Sequence, residues 1–184
     1  MFNYLALATL LLAGVCHAQP PEPQHYYIFG DSLSSPTGCE WPLQLKGAIH
    51  NYAQAALTLK EFALPHHFKS RLGGIAVIYI GTNDAVRSYG AADYKRQLRE
   101  LVSRIRFRGI VQVYIIGQPY LDVSSNTLDT FRLATIEVAR EVNAKYLDPG
   151  WGTSSTIDGV HPSCIGNVYL GAWIAQQLQL ESGE

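Results

Sequence analysis

Residues 74–81 read GIAVIYIG, an uncharged run rich in isoleucine that ends in glycine. Buried parallel strands have this composition because helices cover both faces of a parallel sheet. Two further runs resemble it, HYYIFG at residues 25–30 and GIVQVYIIG at residues 109–117. Shorter strands are predicted at residues 48–52, AIHNY, and 145–148, KYLD. The sequence therefore predicts a sheet of five strands.

Helical patterns separate most of these runs, because apolar residues recur there at a spacing of three or four. The residues on the three predicted helical faces are Tyr94, Leu98, Leu101, Val102 and Ile105; Leu128, Phe131, Val138 and Val142; and Ile165, Tyr169, Ala172 and Leu178. Strands that alternate with helices predict an α/β fold. We expect a three-layer α/β/α sandwich with a mostly parallel sheet.

The chain of 184 residues has the length of one domain. It carries 14 Lys and Arg against 15 Asp and Glu, and 47% of its residues are hydrophobic. This balance is typical of a soluble globular protein and gives no sign of a surface for nucleic acid. We expect a monomer that binds no nucleic acid.

An apolar run, YLALATLLLAGV, occupies residues 4–15. Twelve residues are too few to cross a bilayer but are typical of the core of a signal peptide. We predict cleavage after Ala18, so that residues 1–18 form the signal peptide and residues 19–184 a single domain that is secreted or periplasmic. The alternative is a lipid anchor on Cys16, although Val15 and Ala13 resemble a lipoprotein signal poorly.

Two clusters of polar residues have plain interpretations. His66 and His67 are interpreted as surface residues, since sequence neighbours point apart on a helix; the alternative is a metal site. A basic cluster is interpreted as the solvated face of its helix, with weak contact to anionic lipid as the alternative. Its members are Lys95, Arg96, Arg99, Arg104, Arg106 and Arg108.

Candidate reactive residues follow the predicted strands directly, as they should in an open α/β sheet. Ser32 follows the first strand, Asn83 follows GIAVIYIG, and the loop that contains Asp158 and His161 precedes the last helix. A serine hydroxyl becomes a good nucleophile when an imidazole takes its proton and a carboxylate orients that imidazole. Each stretch alone could equally be an ordinary turn.

Three motifs together resemble a known family. GDSL at residues 30–33, GTND at residues 81–84 and DGVHP at residues 158–162 are similar in order and spacing to the first, third and fifth blocks of the SGNH, or GDSL, hydrolases. The resemblance spans nearly the whole mature chain. It implies a flavodoxin-like α/β fold and a serine hydrolase.

The resemblance implies a role for each matching residue. Ser32 would be the nucleophile, His161 the base and Asp158 the acid that orients it. The side-chain amide of Asn83 and the backbone N–H of Ser32 would donate to the oxyanion. The other members of the first and third blocks, Asp31, Gly81 and Asp84, would support the site.

The second block departs from the family pattern. NYAQAALT at residues 51–58 has the expected Asn and Thr, but Ala56 stands where the family has glycine. A glycine needed for positive φ would make alanine strained. We expect that φ is negative at Ala56 and that its N–H remains the third oxyanion donor.

The expected substrate is a carboxylic ester, hydrolysed through an acyl-enzyme. Within the family, Trp41 and Pro42 after the serine block resemble lipase and phospholipase members, which favours acyl esters of lipids or lysolipids. A carbohydrate O-acetylesterase, a thioesterase and a binding protein with impaired catalysis are the alternatives, because a fold does not fix a substrate. No motif is typical of a metal site or a phosphate loop, so we expect no cofactor.

Cys39 and Cys164 are the cysteines that remain after removal of the leader. Cys39 lies seven residues after Ser32 and Cys164 three residues after His161, so a site that joins serine and histidine also brings the thiols near each other. In an oxidising compartment we expect a disulfide; the alternative is two buried thiols.

Overall fold

The computed structural model describes residues 23–36, 38–62, 74–122, 125–152 and 155–182. The predicted signal peptide, Cys16, His66 and His67 lie outside these residues. Within the described ranges, no helix combines the length and the apolar character that a membrane crossing requires.

Five parallel strands form one sheet in the order β2-β1-β3-β4-β5. Their bounds are β1 His25–Gly30, β2 Ala48–Asn51, β3 Ile75–Tyr79, β4 Gln112–Ile116 and β5 Lys145–Leu147. The prediction of a mostly parallel, five-stranded α/β sheet is therefore confirmed. This strand order is that of flavodoxin-like folds.

Helices cover both faces of the sheet. Their bounds are α1 Thr82–Val86, α2 Ala91–Phe107, α3 Ser125–Glu141 and α4 Cys164–Ser182, and a short 3-10 helix spans Trp41–Gln44. Alternate residues of β1 divide the core: Tyr27 and Phe29 pack with α1, α2 and α3, whereas Tyr26 and Ile28 pack with the 3-10 helix and α4. This alternation follows from the two-residue period of a strand and gives the three layers.

The predicted buried face of α2 is confirmed, but that of α4 is wrong. Ile165 and Tyr169 are 70% and 73% exposed, and Ala172 is exposed too. Leu178, the fourth residue of the predicted face, is buried, and Leu170 and Ile174 are buried with it in place of the other three. Apolar residues are spread around the axis of α4. Their spacing in the sequence therefore does not indicate which face of the helix packs on the sheet.

Most of the basic cluster on α2 is paired within the protein. Lys95 binds Glu137 at 2.9 Å, and Arg99 binds Glu141 at 2.5 Å, so that both link α2 to α3. Arg96 and Arg104 pair with acids of α2 itself, and Arg106 donates to backbone carbonyls after α3. Contact with anionic lipid stays a prediction.

The strand order fixes where a site can form. The two strands that follow β1 in the sequence lie on opposite sides of it: β2 pairs with one edge of β1, and β3 pairs with the other. In open parallel sheets the crevice beyond the carboxyl ends of the strands at such a switch point holds the ligand. Ser32 follows β1 and Asn83 follows β3, which puts both at this crevice.

Candidate active site

Ser32 lies in a tight turn directly after β1. The Ser34 N–H donates to the Asp31 carbonyl at 3.1 Å, and the Leu33 N–H donates to Asp31 Oδ1 at 3.0 Å. Glycine is required at position 30, because a Cβ there would lie 2.6 Å from the Tyr79 carbonyl oxygen. The turn keeps Ser32 half-buried at the end of the sheet.

Ser32, His161 and Asp158 form one chain of hydrogen bonds. His161 Nε2 lies 2.9 Å from Ser32 Oγ, and His161 Nδ1 lies 2.7 Å from Asp158 Oδ2. An Nδ1–H that donates to the carboxylate leaves the Nε2 lone pair to accept the Ser32 proton. The three residues thus have the geometry that activates a serine hydroxyl.

Asp158 is held as a carboxylate by its own loop. Its Oδ1 accepts the N–H groups of Val160 at 2.9 Å and His161 at 2.7 Å, while Oδ2 accepts from the His161 ring. Hydrogen bonds from His161 and Val160 lower the pKa of Asp158 to about 2. Asp158 therefore stays ionised at neutral pH and favours the productive histidine tautomer.

Asn83 stands at the start of α1, beside the loop that follows β2. Its Nδ2 donates to the Leu57 carbonyl at 2.9 Å. An amide carries two N–H bonds, so this contact fixes the side chain and uses only one of them. The second N–H could donate to an oxyanion.

The expectation of a negative φ at Ala56 is wrong, because its φ is +63°. Ala56 lies in a turn in which the Leu57 N–H approaches the Gln54 carbonyl at 3.5 Å, and Arg87 donates to the Ala56 carbonyl at 3.0 Å. Positive φ is where glycine is favoured, which gives a physical reason for the family glycine. The alanine methyl group is strained there but does not remove the backbone N–H.

Two buried aspartates frame the site. Asp31 Oδ2 has no hydrogen-bond partner among the described residues; burial raises the pKa of Asp31 to about 7, although the N–H groups of Leu33 and Gly81 lower it. Both oxygens of Asp84 accept the Leu59 N–H, at 2.9 and 3.1 Å, which ties the β2–β3 connection to α1. Burial raises the pKa of Asp84 to about 6.

Gly81 is the remaining residue expected to support the site. Its φ is +123°, and a Cβ would lie 2.6 Å from Gln118 Nε2 and 2.7 Å from the Tyr94 ring. Only glycine fits both this conformation and this space. It lets the chain turn from β3 into the helix that carries Asn83.

The predicted disulfide is confirmed. Cys39 and Cys164 are bonded, with a Cα–Cα distance of 5.4 Å and a sequence separation of 125 residues. The bond joins the segment after the Ser32 turn to the first residue of α4, directly after the His161 loop.

Sequence reasoning missed the residues that hold the serine turn from behind. Asn51 Nδ2 donates to the Ser34 carbonyl at 2.7 Å, and Trp41 Nε1 donates to Ser34 Oγ at 3.0 Å. It also missed Glu40 and Asn167, which line a cavity of about 270 Å³ with Ser32 and His161. No spacing in the sequence marks these contacts, because they join distant segments.

Among the described residues, no three His, Cys, Asp or Glu side chains cluster as a metal site would require. The arrangement described above needs only protein groups: a serine with a hydrogen-bonded histidine, an ionised aspartate and nearby N–H donors.

Comparison with known proteins gives a family and a fold. The family model described as GDSL-like Lipase/Acylhydrolase family matches residues 28–167. No curated protein sequence matches the chain.

Solved structures of the same fold share little sequence with the chain. An acetylxylan esterase from Geobacillus stearothermophilus has a TM-score of 0.70 at 17% identity, over 85% of this chain and 94% of that one. A carbohydrate acetylesterase from Sinorhizobium meliloti has a TM-score of 0.67 at 18% identity, over 85% and 98%. A member of the lipolytic G-D-S-L family from Veillonella parvula has 0.66 at 18% identity, over 84% and 97%.

Proposed function

Because this chain belongs to the GDSL-like lipase/acylhydrolase family, we propose that it is a serine esterase that hydrolyses carboxylic esters through an acyl-enzyme. The observation that carries the proposal is the hydrogen-bonded chain of Ser32, His161 and Asp158, with distances of 2.9 and 2.7 Å. Nothing in this chemistry requires a cofactor.

The reaction follows from the geometry. Ser32 Oγ attacks the ester carbonyl carbon while His161 Nε2 takes the hydroxyl proton, and Asp158 stabilises the imidazolium that forms. Negative charge develops on the carbonyl oxygen, where the N–H groups of Asn83, Ser32 and Ala56 would donate. Removal of one such donor commonly costs about 3 to 4 kcal/mol of transition-state stabilisation. As the tetrahedral intermediate collapses, the bond between the carbonyl carbon and the alcohol oxygen breaks, and the alcohol leaves with the proton from His161 Nε2. Water then hydrolyses the acyl-enzyme by the same proton transfers in reverse order.

The proposed substrates are acyl esters of lipids or lysolipids. Apolar side chains beside the site support this choice: Ile157, 73% exposed, lines the cavity next to Ser32, together with Leu33 and Pro162. Apolar surface of this kind would contact an acyl chain favourably.

Carbohydrate O-acetyl esters are the second candidate. They are favoured by two proteins of the same fold, a carbohydrate acetylesterase and an acetylxylan esterase. The thioesterase and the impaired binding protein have less support, since no described feature favours a thioester and the Ala56 N–H is retained.

We also propose that the protein is exported. The disulfide between Cys39 and Cys164 supports this, because such bonds persist in oxidising compartments and are rare in a reducing cytosol.

Labelling with a fluorophosphonate probe tests the proposed nucleophile without knowledge of the substrate. Wild-type protein should be labelled, and Ser32→Ala should lose both the label and at least about 10⁴-fold in kcat on 4-nitrophenyl acetate. Ser103→Ala, at an exposed serine on α2, is the matched control and should behave as wild type. Labelling that persists in Ser32→Ala would show that another residue is the nucleophile.

The chain-length profile tests the proposed substrate class. Hydrolysis rates of 4-nitrophenyl esters from acetate to palmitate should rise with chain length for a lipid esterase. A maximum at acetate, with little activity on longer chains, would favour the carbohydrate O-acetylesterase instead.

A further inference from the structure

A cavity of about 270 Å³ opens beside Ser32 and His161. The disulfide of Cys39 and Cys164 forms part of its wall, and Glu40 and Asn167 also line it. Among the described residues that line it, neither Ala56 nor Asn83 is present. The cavity therefore lies on the histidine side of the nucleophile, away from Asn83 and Ala56.

The path of the proton assigns this side to the alcohol half of the ester. After Ser32 attacks, His161 Nε2 holds the proton that came from the serine hydroxyl. When the tetrahedral intermediate collapses, the bond between the carbonyl carbon and the alcohol oxygen breaks, and that oxygen takes the proton from Nε2. The departing oxygen must therefore lie within hydrogen-bond reach of His161, with the rest of the alcohol beyond it.

The polar part of the cavity is lined by Ser32, Ser35, Glu40, His161 and Asn167. Glu40 is 8% exposed; its Oε2 accepts the Gly38 N–H at 2.7 Å, and a carboxylate can accept several hydrogen bonds at once. Asn167 is also 8% exposed; its Oδ1 has no partner among the described residues but is shielded from solvent, so it is not open to a ligand in the cavity. A donor that reaches the Glu40 carboxylate recovers part of its desolvation cost.

The charge and the volume of the cavity further restrict which alcohols it can bind. No Lys or Arg is present among the described residues that line the cavity, so an alcohol that carries a phosphate or carboxylate would face Glu40 with no lysine or arginine to pair with. Leu33, Pro162 and Ile157 add apolar walls. A volume near the lower end of ligand pockets, roughly 300 Å³, suits one ring or a glycerol unit rather than a long alkyl chain.

We infer that this cavity binds the alcohol half of the ester and selects a polyol that carries no negative charge, with Glu40 as a specificity-determining residue. The inference rests on the proposed function and narrows it: a neutral acylglycerol or an acylated sugar would fit, and a phosphate-bearing lysolipid would not. Hydroxyl groups of the polyol donate to Glu40, while its C–H faces contact the apolar walls.

Acetyl esters that differ only in the alcohol test the inference. The probes are ethyl acetate, glycerol monoacetate, a mono-O-acetyl methyl glucoside, O-acetyl lactate and acetylcholine. We expect kcat/KM for at least one polyol ester to exceed that for ethyl acetate by about tenfold or more, and O-acetyl lactate to be poorer than both. Glycerol and glucoside esters distinguish the two sources of a polyol.

Glu40→Gln should lower the ratio of kcat/KM between the preferred polyol ester and ethyl acetate by about tenfold. Glu100→Gln, at an exposed acid on α2 in the opposite layer, is the matched control and should keep the wild-type ratio. If Glu40→Gln fails to fold, Ile157→Trp tests the inference instead. This exposed position tolerates substitution, and the larger side chain would narrow the cavity, so KM should rise more for the polyol ester than for ethyl acetate.

The outcomes are separable from those of the proposed function. Loss of 4-nitrophenyl acetate hydrolysis and of fluorophosphonate labelling in the wild type would contradict the esterase itself. Three results would contradict the polyol site but not the esterase activity. They are hydrolysis without any preference for polyol esters, a preference for acetylcholine or O-acetyl lactate, and a ratio of kcat/KM values that Glu40→Gln leaves unchanged.

Discussion

Ala56 has a backbone conformation that is unfavourable for an alanine. An alanine with φ of +63° carries strain of about 1 to 2 kcal/mol, because its Cβ crowds the backbone in the left-handed region. The turn persists because Arg87 holds the Ala56 carbonyl and Asn83 holds the Leu57 carbonyl. The proposed oxyanion donors are therefore positioned by contacts between segments and not by the conformational preference of Ala56 itself.

Ala56→Gly should stabilise the protein by up to about 1 kcal/mol, since relief of strain exceeds the added entropy of the unfolded chain. The change in kcat should stay below about tenfold, because the N–H is kept. Chemical unfolding and kinetics with 4-nitrophenyl acetate measure the two effects. Ala55→Gly is the control at an exposed neighbour without positive φ; it should destabilise, and an equal loss in Ala56→Gly would contradict the strain.

Asp31 should make stability depend on pH. Its pKa of about 7 in the folded protein lies above the ordinary value of 3.8, so between these values the folded state binds a proton that the unfolded state releases. The free energy of unfolding must then fall as pH rises from about 4 to 7, by up to about 4 kcal/mol from this group. The cause is burial of the carboxyl group.

Asp31→Asn removes this titration. Urea unfolding of both proteins from pH 3 to pH 8 should show the wild type losing stability relative to the variant between about pH 4 and pH 7. Below pH 4 the difference should become constant, since Asp31 is then protonated in both states. A difference that does not vary with pH would mean that Asp31 is not buried as a neutral acid.

At the scale of elements, the disulfide joins two segments that the sheet alone does not connect. Cys39 precedes the 3-10 helix, and Cys164 begins α4, which packs against that helix. Closing a loop of more than a hundred residues restricts the unfolded chain and stabilises by roughly 4 to 5 kcal/mol in the chain-entropy model.

The double variant Cys39→Ser/Cys164→Ser should lose about that much free energy of unfolding, with a lower thermal midpoint. A reducing agent should lower the midpoint of the wild type but not that of the double variant, which serves as the control for other effects of the reductant. A wild-type midpoint that is insensitive to reduction, together with two free thiols in the unfolded protein, would contradict the bond.

At the scale of the whole molecule, export predicts a processed chain. Protein recovered outside the cytoplasm should begin at Gln19, as N-terminal sequencing or intact mass can measure. Ala18→Arg should block cleavage, because the cleavage site requires a small residue. A mature chain that begins at a lipid-modified Cys16 would contradict the prediction and support the anchor.

The sequence by itself determined the parallel α/β sheet, the buried face of α2 and the order of the reactive blocks. These features are local: β-branched runs that end in glycine, and apolar residues at helical spacing, carry their structural meaning within ten or twenty residues. The pairing of Cys39 with Cys164 followed from the resemblance, since a site that joins Ser32 to His161 also brings the two thiols near each other.

Only the tertiary structure decided the face that α4 buries, the sign of φ at Ala56 and the make-up of the cavity beside His161. The exposed Ile165 and Tyr169 could not be distinguished from buried residues, because an almost uniformly apolar helix has no preferred face of its own. Ala56 takes an unfavourable φ because distant side chains hold its turn. Glu40 and Asn167 are 127 residues apart in sequence and line one cavity because packing of the whole domain brings them together.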